Sequence, residues 1–423
     1  MTREDDVPVT EGDRRMFLAI LGAFVYDGSA GDAAARLQSA AADLSSWDAV
    51  EQLLKIHGCS LIAYHLFSSP EVRAACQPPE TLMASLRKRY AAAFAQVYAA
   101  APILQELALA FANAGVPALA IKGPSVGAWL YGDPALREYC DFDFVVPEAR
   151  ARTVHALLTD FGYHCVEDPF RSPPLYGGAS LRSATYTGPK GMNVDLRFDP
   201  LRILWKSRGT RAELFNRWWE RRLQIDVNGV QLDTPGPEDQ FMFFSRHLQA
   251  HEYARAKWIV DILLLLRRCG ADLDWQAIGR QARAYGIQGG LYRTLEVLDR
   301  VYGAQIPEEA WAALRPNIAV RALHRRVWPD AKVTPSIHQD VSDNPTPLNL
   351  RPGRLRETRQ LYALALFLVD QNRAQNVAYL ARRMFPPRAW LRQTYAPSRV
   401  AGASYITMWY RHARAGLLGP PSP

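Results

Sequence analysis

The chain has 423 residues, 48% of them hydrophobic and 22% charged, with a formal net charge of +8 and a sequence pI near 9.2. That profile excludes a disordered or fibrous chain and predicts two or three globular domains with a sizeable core, while the positive field favours nucleotides, nucleic acid or anionic lipid without identifying one. Cys59, Cys76, Cys140, Cys165 and Cys269 are widely spaced with no C-x-x-C pair, which predicts a reducing compartment and no zinc site.

In chain order, the start from Met1 to Pro8 is acidic and lacks the basic, then apolar, pattern of a secretory signal. Residues 1–12 are expected to be disordered and 13–115 to form a helical domain, with helices over Arg15 to Tyr26, Asp32 to Leu44, Trp47 to Phe67 and Pro79 to Ala114. The period changes at Gly115. Val116 to Ile121 is a short apolar run that suits a buried strand, and Lys122-Gly123-Pro124 turns it into a helix, with Pro124 at the first helical position. Asp141 to Val146 alternates as a strand, and a helix follows from Glu148 to Phe161, closed by Gly162.

Further strands are expected at Tyr163 to Glu167, Ser183 to Thr187 and Met192 to Phe198. In the last, Met192, Val194, Leu196 and Phe198 share one face, while Asn193, Asp195 and Arg197 share the other. Asn228-Gly229 between alternating residues marks a hairpin over Leu223 to Leu232 and completes a core from 116 to 235. Helices then run over Glu238 to Arg268, Trp275 to Tyr285 and Gly290 to Tyr302, within a helical domain at 236–326 that closes a cleft. Residues 327–354 read as a linker or long loop, and 355–423 as C-terminal helices, from Leu355 to Arg383 and near Tyr405 to Ala415, with a frayed tail. The longest apolar stretch, Trp258 to Leu266, is interrupted by Asp261 and too short to span a bilayer, so a cytoplasmic protein with no membrane partner is expected.

The strongest chemical signal is Asp141-x-Asp143, because strand alternation puts both carboxylates on one face about 7 Å apart. Such a pair can share divalent cations, and Asp195 on a neighbouring strand is the natural third ligand for phosphoryl chemistry. An isolated D-x-D is common, and its surroundings give it weight here. Lys122, Gly123, Pro124 and Ser125 form a strand-to-helix turn of the kind that binds phosphate, and Arg137 can clamp a phosphate or brace the carboxylates. The same turn also reads as purely structural with a surface lysine.

The run Ile121 to Ser125, then Leu130-Tyr-Gly-Asp-Pro134, Arg137, Asp141 to Val146 and Phe161-Gly-Tyr163, resembles the uncharacterised bacterial nucleotidyltransferase family within the polymerase-β superfamily. The resemblance extends through Val194-Asp-Leu196 to His247, His251 and Asp261. It implies an α+β fold, with a small mixed-sheet nucleotidyltransferase core flanked by N-terminal and C-terminal helical domains. It further implies that Asp141, Asp143 and Asp195 bind Mg²⁺ or Mn²⁺ and that the Lys122 to Ser125 turn holds a nucleoside triphosphate. The implied reaction transfers a nucleoside monophosphate to an acceptor that the sequence does not name: a small molecule, peptide, protein or RNA. The chain departs from the superfamily at Pro124, which removes a backbone donor, and at Arg197, where relatives often carry His.

Arg197, His247, His251 and Asp261 are candidate cleft residues. The i, i+4 histidine pair with Asp261 matches a metal site in pattern, which would make the chain a metal phosphohydrolase; the plainer reading has them line the cleft. A non-catalytic nucleotide-binding or interaction module is the other alternative. The mixture of Arg217, Arg221 and Arg222 with Trp218 and Trp219, like Arg382, Arg383 and Arg388, suits a nucleic-acid surface or a solvated helix face, and nucleic acid is not strongly indicated. Trp258 reads as core, and Cys140 has no assigned role, since its acidic neighbours raise its pKa.

Overall fold

Helix start signals set the order of the first half of the chain. Thr10 caps α1 (Glu11–Tyr26) in a capping box with Asp13, and the buried Asp13 carboxylate also accepts from the backbone N–H groups of Ser45 and Ser46, tying α1 to the start of α3. Ser29 and Ser46 cap α2 (Ala30–Ala41) and α3 (Trp47–His57). The expected single helix from Trp47 to Phe67 is two helices, because Gly58 takes a left-handed φ of 67° and ends α3 before α4 (Ser60–Phe67). A short α5 (Pro70–Cys76) precedes the 34-residue α6 (Glu80–Asn113). The computed structural model describes residues 8–166, 183–189, 191–203 and 206–336, with a few positions between 385 and 410.

The sheet region follows. Strand β1 (Leu119–Ala120) leads into a three-residue α7 (Pro124–Val126) and a π-type turn over Gly127–Tyr131. Then come β2 (Asp141–Val145), α8 (Ala151–Asp160), β3 (His164–Cys165), β4 (Ser183–Thr187) and β5 (Asn193–Arg197). The five strands lie in the order β1-β2-β5-β4-β3, with β2 and β5 parallel and the other pairs antiparallel, so the sheet is small and mixed as expected. After α9 (Arg208–Glu220), β6 (Leu223–Val227) and β7 (Val230–Thr234) form the foreseen hairpin, turned by Asn228 and Gly229 at φ 52° and 85°.

Helices return with α10 (Pro237–Ala250), α11 (Ala256–Cys269), α12 (Trp275–Tyr285), α13 (Gln288–Tyr302), α14 (Glu308–Leu314), α15 (Ile318–Val327) and α16 (Asp330–Val333). The expected helix from Glu238 to Arg268 is broken between α10 and α11, where Glu252 and Tyr253 take φ values of 56° and 60°. Helix α16 falls where the sequence suggested the start of a loop. The helix expected at Leu355 to Arg383, with Arg382 and Arg383, and most of the region 337–423 lie outside the described residues.

Two hydrophobic clusters result. One gathers the N-terminal helices with α10 to α15, so that Phe17, Leu53 and Phe67 share a core with Phe241, Ile259 and Leu295. The other lies on one face of the sheet, where Phe142, Phe144, Val194 and Leu196 meet Val154 and Leu158 of α8. Helix α6 serves both: Leu82, Met83 and Leu86 join the first cluster, and Ile103, Leu104, Leu107 and Phe111 the second. It corrects the expectation that no apolar stretch is long enough to span a bilayer, since by length and composition α6 is; Trp258 to Leu266 is not the longest such run.

Candidate active site

The pairing of β2 with β5 decides which acids meet. Their parallel register sets Asp143 opposite Asp195 and Asp141 opposite Asn193. Phe142, Phe144, Val194 and Leu196 point into the sheet core, so alternation turns Asp141, Asp143 and Asp195 to the other face together. One carboxylate oxygen from each lies within 4.8 Å of those of the other two, the one such group of acidic or metal-ligating side chains among the described residues.

Two cations share this face. Strand β1 pairs with β2, and the backbone N–H of Ile121 donates to the Asp143 carbonyl, which delivers the next residue, Lys122, to the acids. Its Nζ lies 2.7 Å from Asp143 Oδ1, while Arg197 Nη2 approaches the same oxygen at 3.5 Å. Burial pushes the Asp143 carboxyl up, but Lys122 and Arg197 outweigh it and hold the group below its ordinary value. Asp141 is pushed up to about 6, by burial first and then by the charge of Asp143. Burial and Asp141 likewise raise Cys140, in keeping with an inert thiol.

The turn after Lys122 has a specific backbone requirement. Gly123 has φ 62° and ψ −134°, a region closed to residues with a side chain, and a Cβ there would sit 3.2 Å from the Asp141 carbonyl oxygen. Pro124 occupies the first helical position as expected. Ser125, expected to donate to a phosphate, is fully buried, and its hydroxyl donates to the Lys122 carbonyl at 3.0 Å. The turn is therefore closed on itself, and the lysine is its projecting group.

The segment that leads into β2 is held at three successive residues. Arg137 donates from Nε and Nη2 to the two oxygens of Asp261, each at 2.8 Å, and Tyr131 donates its hydroxyl to Asp261 Oδ1 at 2.8 Å. Lys257 Nζ donates to the Glu138 carbonyl at 3.1 Å, and Gln96 Nε2 to the Tyr139 carbonyl at 2.6 Å. Arg137 thus braces the route to the carboxylates, and both its fork donors face Asp261. Gln96 and Lys257 went unnoticed in the sequence because they lie 43 and 119 residues from the carbonyls they hold, a separation that leaves no local signal.

His247 and His251 come together with ring centroids 4.5 Å apart, and Trp258 lies 4.8 Å from the first and 5.0 Å from the second. The His247, His251 and Asp261 metal site is corrected, since Asp261 is engaged by Arg137 and Tyr131 instead. Trp258 is buried, as expected of a core residue. The tryptophan-arginine run at the C-terminal end of α9 is held by structural pairs: Trp218 is fully buried, Arg221 pairs with Asp239 at 2.6 Å, and Arg222 sits 4.1 Å over the Trp219 ring.

An α+β fold whose mixed sheet gathers three carboxylates beside a lysine and an arginine is equipped to hold divalent cation and phosphate together. The profile of the family described as "uncharacterised nucleotidyltransferase" matches residues 43–303, more than half of the chain and all of this site, and the chain belongs to that family. Among curated proteins none shows a significant match.

Proposed function

We propose that the protein transfers a nucleoside monophosphate from a nucleoside triphosphate to a nucleophilic acceptor, with Asp141, Asp143 and Asp195 holding Mg²⁺, or Mn²⁺ in its place. The observation that carries this reading is the convergence of those three carboxylates within 4.8 Å. An all-oxygen, anionic donor set fits a hard divalent cation. When bound, the cation supplies charge neutralisation on the reacting phosphate and its leaving group.

The residues divide the remaining work. Asp195, half-buried at the register position opposite Asp143, accepts the proton of the acceptor hydroxyl. The acceptor oxygen bonds to the α-phosphorus, the bridging bond to the β-phosphate breaks, and pyrophosphate leaves. Lys122 and Arg197 place positive charge beside the acids, where the phosphates gather. Gly123 permits the backbone approach that keeps Lys122 against the strand.

A second reading, a nucleotide-binding module without turnover, is favoured by one observation: Lys122 and Arg197 both approach Asp143 Oδ1, at 2.7 and 3.5 Å, and offset its charge. Calorimetry with ATP, GTP, CTP and UTP, with and without Mg²⁺, separates the two. Binding that needs Mg²⁺ and disappears in the Asp141→Ala/Asp143→Ala double variant is expected for the enzyme. Binding indifferent to Mg²⁺ and to that substitution would point to the module, and no binding by the folded protein would sink both.

A further inference from the structure

We propose that the exposed face of α6 docks on the same face of a second copy of this chain, the two helices running antiparallel about a twofold axis between residues 96 and 97. The face carries, on either side of that axis, what the other side needs.

Helix α6 has two faces of different use. One turns Leu82, Leu86, Leu104 and Leu107 into the two hydrophobic clusters. The other is apolar yet uncovered: only 33% of the most apolar 18-residue stretch of the helix is buried, and Arg87, Ala91, Phe94, Ala95, Tyr98 and Pro102 are all exposed. These positions recur at three- and four-residue spacing, the period of a helix-packing seam. Phe94 is 46% and Tyr98 59% exposed, and Leu109 continues the strip at 56%. Contiguous apolar surface of this kind marks an interaction site, whereas single exposed side chains do not.

The rings are ordered before any partner arrives. Tyr64, Tyr90, Phe94 and Tyr98 form a ladder with successive centroids 4.9, 6.3 and 4.8 Å apart, and the Tyr90 hydroxyl donates to Asp133 Oδ2 at 3.2 Å. A ladder fixed at its inner end leaves Phe94 and Tyr98 little rotamer freedom to lose on docking.

The order of residues along the helix selects the partner. In an antiparallel pair centred between 96 and 97, Phe94 of one copy lies opposite Ala99 of the other and Tyr98 opposite Ala95, so each ring meets the space over an alanine. Leu109 lies opposite Ala84 in the same register, and Arg87 opposite Glu106. A twofold axis repeats each of these matches, as an isologous interface requires. Arg87 reaches Glu80 of its own chain only at 3.7 Å, with side chains 59% and 65% exposed, a pair weak enough to exchange. A nucleic-acid strand would call for cations along the whole strip, but Arg87 and Lys88 stand at one end and Glu106 at the other.

The size of the strip sets the strength of the dimer. From Ala84 to Leu109 it is about 38 Å long and about 10 Å wide, on the order of 400 Å² per copy. That is about half of what a standard interface buries on each side, which places the pair among weak, reversible dimers with Kd in the micromolar range.

The test is sedimentation equilibrium of the full chain from about 1 to 200 μM, a span that brackets such a Kd. Ala95→Glu puts a charge at the centre of the contact on an exposed helical position, and circular dichroism confirms its fold. We expect this variant to dimerise at least about tenfold more weakly than the wild type, because a charge buried without a partner opposes docking. Arg87→Glu is expected to weaken the dimer several-fold, and Arg87→Glu/Glu106→Arg to recover it, since the exchange restores both pairs across the axis. A wild type that stays monomeric throughout overturns the proposal, and its co-sedimentation with phosphatidylglycerol vesicles or with poly(U) would then name the occupant instead. A dimer that Ala95→Glu leaves intact, or that the double exchange does not recover, equally overturns the pairing.

Discussion

Lys122 stands against Asp143 at 2.7 Å, with only 11% of its side chain exposed, and so holds a position that a divalent cation would contest. A buried carboxylate needs a compensating charge, and the lysine provides one. Removing that charge has opposite effects on two ligands. Lys122→Met is expected to bind Mn²⁺ more tightly than the wild type when no nucleotide is present, by several-fold, and to bind ATP more weakly. Titration of Mn²⁺ followed by electron paramagnetic resonance measures the first, and an unchanged or weaker Mn²⁺ affinity would show that the lysine does not compete for the acids. At this scale the acids and the lysine were legible in the sequence from alternation and spacing. The inward hydroxyl of Ser125 was not, since the same four residues suit an open phosphate turn and a closed one.

Among the elements, the approach to β2 is restrained at Arg137, Glu138 and Tyr139 in succession. Asp261, on α11, reaches across 124 residues to take both fork donors of Arg137, with the two side chains 1% and 3% exposed. Breaking a buried pair of this kind leaves a charge without a partner, at a cost of about 3–5 kcal/mol. Asp261→Asn is expected to lower stability by that order in urea unfolding, whereas a change below about 1 kcal/mol would mean that Arg137 finds another partner or solvent. Periodicity located helices α1, α6, α12 and α13 to within a few residues, because their apolar stripes are long. It ran α3 into α4 and α10 into α11, since each break depends on one or two residues in left-handed geometry rather than on a change of pattern.

On the scale of the molecule, the first hydrophobic cluster draws on both ends of the described chain and encloses titratable groups that serve no site. Burial lowers His57 to about 4 and His324 to about 3, and both ring nitrogens of His324 lack partners. A base whose folded pKa is depressed binds fewer protons folded than unfolded, so stability falls as pH drops below the unfolded value of 6.5 toward the folded values. Asp239, raised to about 7 mainly by burial, works the other way and costs stability as pH rises from about 4 to 7. His324→Leu is therefore expected to flatten the acid limb of stability between about pH 6.5 and 3. Urea midpoints at pH 7 and 5 measure this, and a difference as large as the wild type's would place the acid sensitivity elsewhere.

The sequence alone determined the polar face of β5, the acidic pair on β2, the hairpin at Asn228 and Gly229, and the resemblance to an uncharacterised nucleotidyltransferase family, which the match over residues 43–303 bears out to that level. These are local matters, set by alternation, turn chemistry and order along the chain. Tertiary structure decided what those residues meet. Parallel pairing of two strands whose partners lie 52 residues apart put Asp195 beside Asp143, and antiparallel pairing of β1 brought Lys122 to the same carboxylate. Long-range packing gave Asp261 to Arg137 and left His247 and His251 without it. Neither partner of such a contact carries a mark of the other in its own neighbourhood, because hydrogen bonds and ion pairs depend on distance in space, and only the packed chain sets that distance.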